Sequence, residues 1–169
     1  MKLLQQINTS IFYWLVMAFG AISLEGVALY YQYVIGDEPC VVCIQVRVWV
    51  MAYIFIGFLG TAFREKLIAL RSMNILSVIT SVGLFERSYY LLGVERLWDL
   101  DGSCEMTAGL PWWFDLEKWF PAIFEVKMPC GFTPYIFFQI SMAEILFVIS
   151  ISAVLATLAL TVSGFIRRN

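Results

Sequence analysis

Apolar residues in this chain come in long blocks, and the polar ones are confined to the breaks between them. A helix crossing a bilayer needs about 20 mostly apolar residues, because without water every backbone polar group must be bonded within the helix. Four blocks meet that requirement, at residues 11–34, 39–63, 68–92 and 135–166. The apolar part of the first is far longer than the roughly 7–15 residues of a signal-peptide core, so it is expected to be a retained span. Between the third and fourth lies a long mixed loop, residues 93–134. Within it Trp112, Leu116, Trp119, Phe120 and Ile123 share one helical stripe, while Glu117 and Lys118 fall off it. This predicts a short amphipathic helix lying in the headgroup region, kinked or restarted at Pro121. The fold expected is an all-α membrane protein, one domain over 1–169, built as a four-transmembrane-helix bundle with that interfacial helix in its second outer loop.

Composition agrees with this reading. Of 169 residues, 61% are hydrophobic and 14% charged, against roughly 45–50% and about 25% in soluble domains. That excess cannot be hidden in a single core and must face lipid. A net charge of −2 without a basic block offers no footing for nucleic acid.

The distribution of charge sets an orientation. Lys2, Arg64, Lys66, Arg71, Arg167 and Arg168 flank one set of span ends, and acidic residues predominate on the other. By the positive-inside rule both termini are cytoplasmic and the long loop is outside. Tyr30, Tyr31, Tyr33, Tyr89, Tyr90 and Tyr135 fall near outer span ends, where amphipathic rings prefer to sit.

Histidine is absent, so chemistry has to come from cysteines, carboxylates, Arg, Lys or Tyr. All four cysteines fall on the expected outer side: Cys40 and Cys43 where the second span begins, Cys104 and Cys130 in the long loop. An oxidising compartment allows disulfides there, and four cysteines permit three connectivities. Local pairing, Cys40 with Cys43 and Cys104 with Cys130, is favoured. Cys40-Val41-Val42-Cys43 has a redox spacing and closes a ring too small to be a useful staple, whereas the longer loop gains a few kcal/mol from closure. Pro39 suits a first helical turn, which puts Cys40 among unpaired N–H groups that favour a thiolate. Arg47, four residues past Cys43 and seven past Cys40, adds positive charge on the same face. A four-cysteine zinc site is disfavoured because Cys104 and Cys130 form no short knuckle, and no metal is expected. Covalent haem needs a histidine where Ile44 stands. A thioredoxin domain needs a βαβ context that a span forbids.

With these residues in view, the chain resembles the bacterial disulfide bond formation protein B (DsbB) family. The resemblance rests on Glu38-Pro39-Cys40-Val41-Val42-Cys43-Ile44 with Arg47, on Trp14–Phe19 with Leu24-Glu25, and on Leu116-Glu117-Lys118-Trp119-Phe120-Pro121, and it covers nearly the whole chain. It implies a quinone-dependent oxidoreductase in the bacterial inner membrane that reoxidises DsbA, a periplasmic thioredoxin-fold protein. Cys104 of a Cys104–Cys130 disulfide would be attacked by reduced DsbA. Cys130 would pass the reduction to Cys40–Cys43, and that pair to ubiquinone or menaquinone from the membrane pool. The family pattern puts Cys43 nearest the quinone, with Arg47 holding the ring and Met142 on its pocket. Gln45-Val46 departs from the usual aromatic-acidic pair before the arginine, which bears on whether the partner is DsbA or a specialised paralogue.

Depth adds two candidates. Arg47 lies about 12 Å along its span, and Glu25 and Glu144 each about 14 Å from the outer ends of theirs. Because an ionisable group in the bilayer is costly and normally paired, Glu25 or Glu144 is expected to partner Arg47 or to supply a proton, with Arg87 as a competing partner. Two other classes compete with the oxidoreductase. One is a four-span structural scaffold with structural disulfides, and the other a small transporter using the carboxylates and thiolates. Pro129-Cys130-Gly131 lacks the Cys-Cys-Gly motif of tetraspanin-like organisers, and no inverted repeat of broken helices supports transport.

Overall fold

A computed structural model describes residues 2–96, 109, 115–128, 135–137 and 140–166. Helix α1 (Lys2–Thr9) turns at Ser10 into α2 (Ile11–Tyr30), whose first turn is capped by the Ser10 hydroxyl accepting from Phe12 N–H at 3.2 Å. The helix widens to a π-helical turn at Tyr31–Ile35 and stops at Gly36, where φ is +82°, a conformation that costs glycine little. Then follow α3 (Val41–Phe63), α4 (Leu67–Glu95), two single-turn helices, α5 (Leu116–Trp119) and α6 (Pro121–Phe124), and the long helix α7 (Met142–Ile166).

Four of these helices are long and apolar enough to span a membrane, at Ile11–Ile35, Val41–Phe63, Leu67–Glu95 and Met142–Phe165. The chain is a four-helix membrane protein. α2 packs on α3, α3 on α4 and α4 on α7, with α1 against α7. Apolar side chains point outward along all four spans, among them Phe12, Phe55, Ile79 and Leu155, each more than half exposed. The interior instead carries small polar residues: Ser77, Ser81 and Ser88 of α4 and Ser150 of α7 are essentially fully buried, and the Ser81 and Thr157 hydroxyls bond across the α4–α7 seam at 2.9 Å. Lipid makes greasy surfaces cheap to expose, and small hydroxyl residues let backbones approach while satisfying themselves within the helix. The α2–α3 seam relies on the same economy of size. Trp14 is fully buried over Gly60, where a Cβ would collide with its ring.

Two expectations from the sequence are corrected. The fourth span begins at Met142 rather than 135, because Tyr135–Phe137 (β1) and Ile140–Ser141 (β2) pair antiparallel in a short hairpin. Aromatic and β-branched residues suit such a pairing, and a capping interaction at Ser141 then starts the helix. The single amphipathic helix expected to start at Trp112 is, over its described part, two single turns broken at Phe120 before Pro121, and residues 112–114 lie outside the described residues. Its apolar stripe divides: Leu116 and Ile123 join Phe124 against Ile44, Val48 and Met51 of α3, whereas Trp119 and Phe120 are exposed.

Candidate functional site

The site forms where α3 starts. Cys40 is the N-cap of α3, with extended backbone, and its Sγ accepts the Cys43 N–H at 3.3 Å. A sulfur in this position faces the positive end of the helix dipole, which favours the thiolate. Pro39 stands one residue before the cap rather than within the first turn. The sulfurs of Cys40 and Cys43 are 2.8 Å apart, so closing a disulfide of about 2.05 Å needs only a sub-ångström shift. Cys40 is buried and Cys43 half-buried.

Cys43 opens onto an apolar cavity of about 270 Å³ between α2, α3, α4 and the start of α7. Its walls include Leu24, Val27, Ala28, Val50 and Leu146, and its polar lining comes from Glu25, Tyr31, Asp37, Glu38 and Arg47. Met142 lines it too, so Cys43, Arg47, Glu25 and Met142, four residues singled out from the sequence, are brought together.

Arg47 is 5% exposed, and its guanidinium is held from three directions. Nη1 donates to Gln32 Oε1 at 2.6 Å and to the Ile123 carbonyl at 2.8 Å, and Nη2 to the Ala28 carbonyl at 3.3 Å. Glu25 Oε1 stands 4.0 Å from Arg47 Nε and has no hydrogen-bond partner. A buried carboxylate oxygen without a donor, on the wall of a cavity, suits a ligand that brings a hydroxyl or exchanges a proton. Asp37, at the mouth, has its carboxyl raised above the ordinary range by loss of hydration.

The loop is fastened over the site by the same residues. Gln32 Nε2 donates to the Ala122 carbonyl at 3.1 Å, and the Tyr33 hydroxyl bonds that same oxygen. Farther along, Lys127 N–H donates to the Pro39 carbonyl at 3.2 Å, and Met128 forms a parallel bridge with Cys40. Gln32 was not singled out from sequence. Its signal was available, since it is the polar residue two helical turns after Glu25 and on the same face.

Glu144 does not join the cavity. It lies in the first turn of α7, where Ser141 N–H donates to its Oε2 at 3.1 Å, Glu144 N–H donates to Ser141 Oγ at 3.3 Å, and Arg96 pairs with Oε1. This capping box makes Glu144 a helix-start residue. Its expected depth followed from starting the span at Tyr135, and two residues beyond Met142 is some 200° around the helix. Arg87 likewise serves neither carboxyl: it pairs with Glu86 at 2.6 Å and donates to Gln45 Oε1 at 3.0 Å. Cys104 and Cys130 lie outside the described residues. No cluster with metal-ligand character occurs among the described residues.

Comparison with known proteins bears on what such a site does. Residues 10–160 match the family described as Disulfide bond formation protein DsbB. Disulfide bond formation protein B of Haemophilus influenzae (strain 86-028NP) is 32% identical over 171 residues, covering 95% of this chain and 91% of the relative. Its counterpart in Histophilus somni (strain 129Pt) is 31% identical over 166 residues, covering 92% and 89%. That of Shewanella denitrificans is 32% identical over 132 residues, covering 78% and 75%.

Proposed function

The chain belongs to the disulfide bond formation protein DsbB family, and on that premise we propose that it reoxidises a periplasmic DsbA-like thioredoxin-fold protein and delivers the electrons to membrane quinone. Membership makes it a membrane disulfide oxidoreductase acting with a thiol partner. The observation that carries the finer reading is the opening of Cys43, beside Arg47 and Glu25, onto an apolar cavity within the span region.

The residues fit a quinone head group. Leu24, Val27 and Leu146 offer the apolar faces a ring requires, Arg47 a cation for a carbonyl oxygen, and Glu25 an acceptor that lacks a donor. When bound, ubiquinone or menaquinone supplies a two-electron, two-proton acceptor.

The chain's own part is thiol chemistry. A thiolate of the reduced partner attacks Cys104 of a Cys104–Cys130 disulfide, forming a mixed disulfide and releasing Cys130. The partner's second thiolate resolves the mixed disulfide, so the partner leaves oxidised and the loop pair is a dithiol. Cys130 then attacks Cys40 of the Cys40–Cys43 disulfide, releasing Cys43 as thiolate, and Cys104 displaces Cys40. Two electrons and two protons now reside on Cys40 and Cys43. Regenerating their disulfide hands both to the acceptor. The bridge between Met128 and Cys40 supports the transfer, because two residues of chain reach at most about 7 Å. The positive-inside pattern of Lys and Arg supports an inner-membrane orientation with the cysteines on the periplasmic side and both termini in the cytoplasm.

Trapping tests this reading. A reduced thioredoxin-fold donor whose second active-site cysteine is replaced by serine cannot resolve the intermediate, so it should accumulate a mixed disulfide with Cys104 of the parent chain, which mass spectrometry locates. Accumulation of none, with the parent chain folded in the membrane and its loop disulfide intact, would count against it.

A further inference from the structure

At the end of the bundle opposite Cys40, α3 turns into α4 through Arg64-Glu65-Lys66, and a second cavity of about 350 Å³ opens there. Thr9, Arg64, Leu67, Leu70, Arg71 and Gly164 are among its lining residues. Arg71 lies one turn into α4, about 6 Å along the axis from Leu67. Its guanidinium rests over the Phe165 ring at 5.0 Å, which holds it against α7. Its Nε is buried without a hydrogen-bond partner, and no ion pair joins Arg71 to any described residue. Arg64 donates from Nη1 to the Thr61 carbonyl at 3.0 Å and lies 3.6 Å from Glu65, whose side chain is 84% exposed. Two guanidinium groups therefore share a cavity with one solvated carboxylate, and a buried donor is left over.

Such a cavity calls for an anion with several acceptor oxygens. Its surroundings narrow the choice. Leu70 is buried in the wall, Leu67 is 39% exposed at the rim, and the next residue, Ile68, is 81% exposed. The apolar surface runs on from the arginines onto the lipid-facing side of α4. A molecule combining a phosphate with acyl chains satisfies both parts at once, whereas inorganic phosphate satisfies only the first. We propose that this cavity binds the phosphodiester head group of an anionic membrane lipid from the adjacent leaflet, with Arg71 Nε and Arg64 as its donors.

The whole chain, reconstituted in phosphatidylcholine vesicles, should immobilise spin-labelled phosphatidylglycerol in preference to spin-labelled phosphatidylcholine. Arg71→Gln should lower that preference about tenfold or more, the value of a hydrogen bond from a charged group to the phosphate. Lys66→Gln removes the same charge from the same turn but does not line the cavity, and should change the preference little. Leu67→Trp fills the rim while leaving both arginines, and should abolish the preference even if Arg71→Gln impairs folding. Equal losses in Arg71→Gln and Lys66→Gln, or no loss in Leu67→Trp, would reduce the effect to diffuse surface charge and overturn the site. Displacement of the labelled lipid by millimolar inorganic phosphate would assign the cavity to the free ion and overturn the lipid as occupant.

Discussion

Arg47 binds two backbone carbonyls and Gln32 while bordering the cavity that Cys43 faces, so one side chain both shapes the pocket and ties down the loop. Hydrogen bonds to a charged group are worth about 1.5–3 kcal/mol, so losing one from a bound ring should raise the quinone KM of Arg47→Gln by about 10- to 100-fold. Steady-state quinone reduction with kcat and KM resolved checks this, and an unchanged KM would remove Arg47 from the binding role. Glu25→Gln should alter quinone affinity, whereas Glu144→Gln, on the α7 cap, should not. Asp37 gives a pH signature. Its raised carboxyl holds its proton more tightly folded than unfolded, so its burial favours folding at low pH, and this is lost as pH rises from the usual 3.8 through the folded value. Asp37→Asn should therefore melt higher than the parent at pH 7, with the difference vanishing below about pH 4. Cys40, Cys43, Arg47 and Glu25 were legible as candidates because thiols and charges inside apolar blocks stand out, whereas Met142 came only from the family resemblance. Glu144 was misplaced because its depth depends on where a cap begins the helix, and no hydropathy count reveals that.

Among the elements, α6 is the piece whose position depends on the site. Its Ala122 and Ile123 carbonyls are held by Gln32, Tyr33 and Arg47, which reach across from the π-helical turn Tyr31–Ile35 and from α3. Gln32→Ala should therefore speed amide hydrogen exchange across Pro121–Phe124 while leaving α4 unchanged. Equal protection in parent and variant would mean that the clamp does not hold the loop. At α5, Asp115 accepts from Lys118 N–H at 3.3 Å and pairs with its ammonium at 2.6 Å, which keeps the carboxyl below its ordinary range. That cap is intact above pH 3.8 and is lost as pH falls through the lowered value, so α5 should fray only in acid. The spans were readable from block length alone. The division of the loop into two turns was not, because Phe120 takes its backbone conformation from Pro121 and from the packing of Ile123 and Phe124 on α3.

Across the bundle, a lipid-facing apolar exterior surrounds seams of small residues, and an apolar cavity opens beside a reactive helix start among the described residues. The α2–α3 seam sets how closely the cavity walls approach. Gly60→Leu, forcing a side chain into Trp14, should destabilise the bundle by about 1–3 kcal/mol, read as a lowered midpoint of unfolding in detergent. The resemblance in sequence reached the family because it rests on Cys40, Cys43, Arg47 and their spacing, whereas the α4–α7 hydroxyl seam has no such pattern to read. Stoichiometry of turnover tests the central claim most directly. Membranes bearing this chain are given a reduced thioredoxin-fold donor and a known amount of quinone, without oxygen. One quinone should be reduced for each donor disulfide formed, and Cys43→Ala should abolish both. Donor oxidation without quinone loss, or quinone loss untouched by Cys43→Ala, would contradict the account.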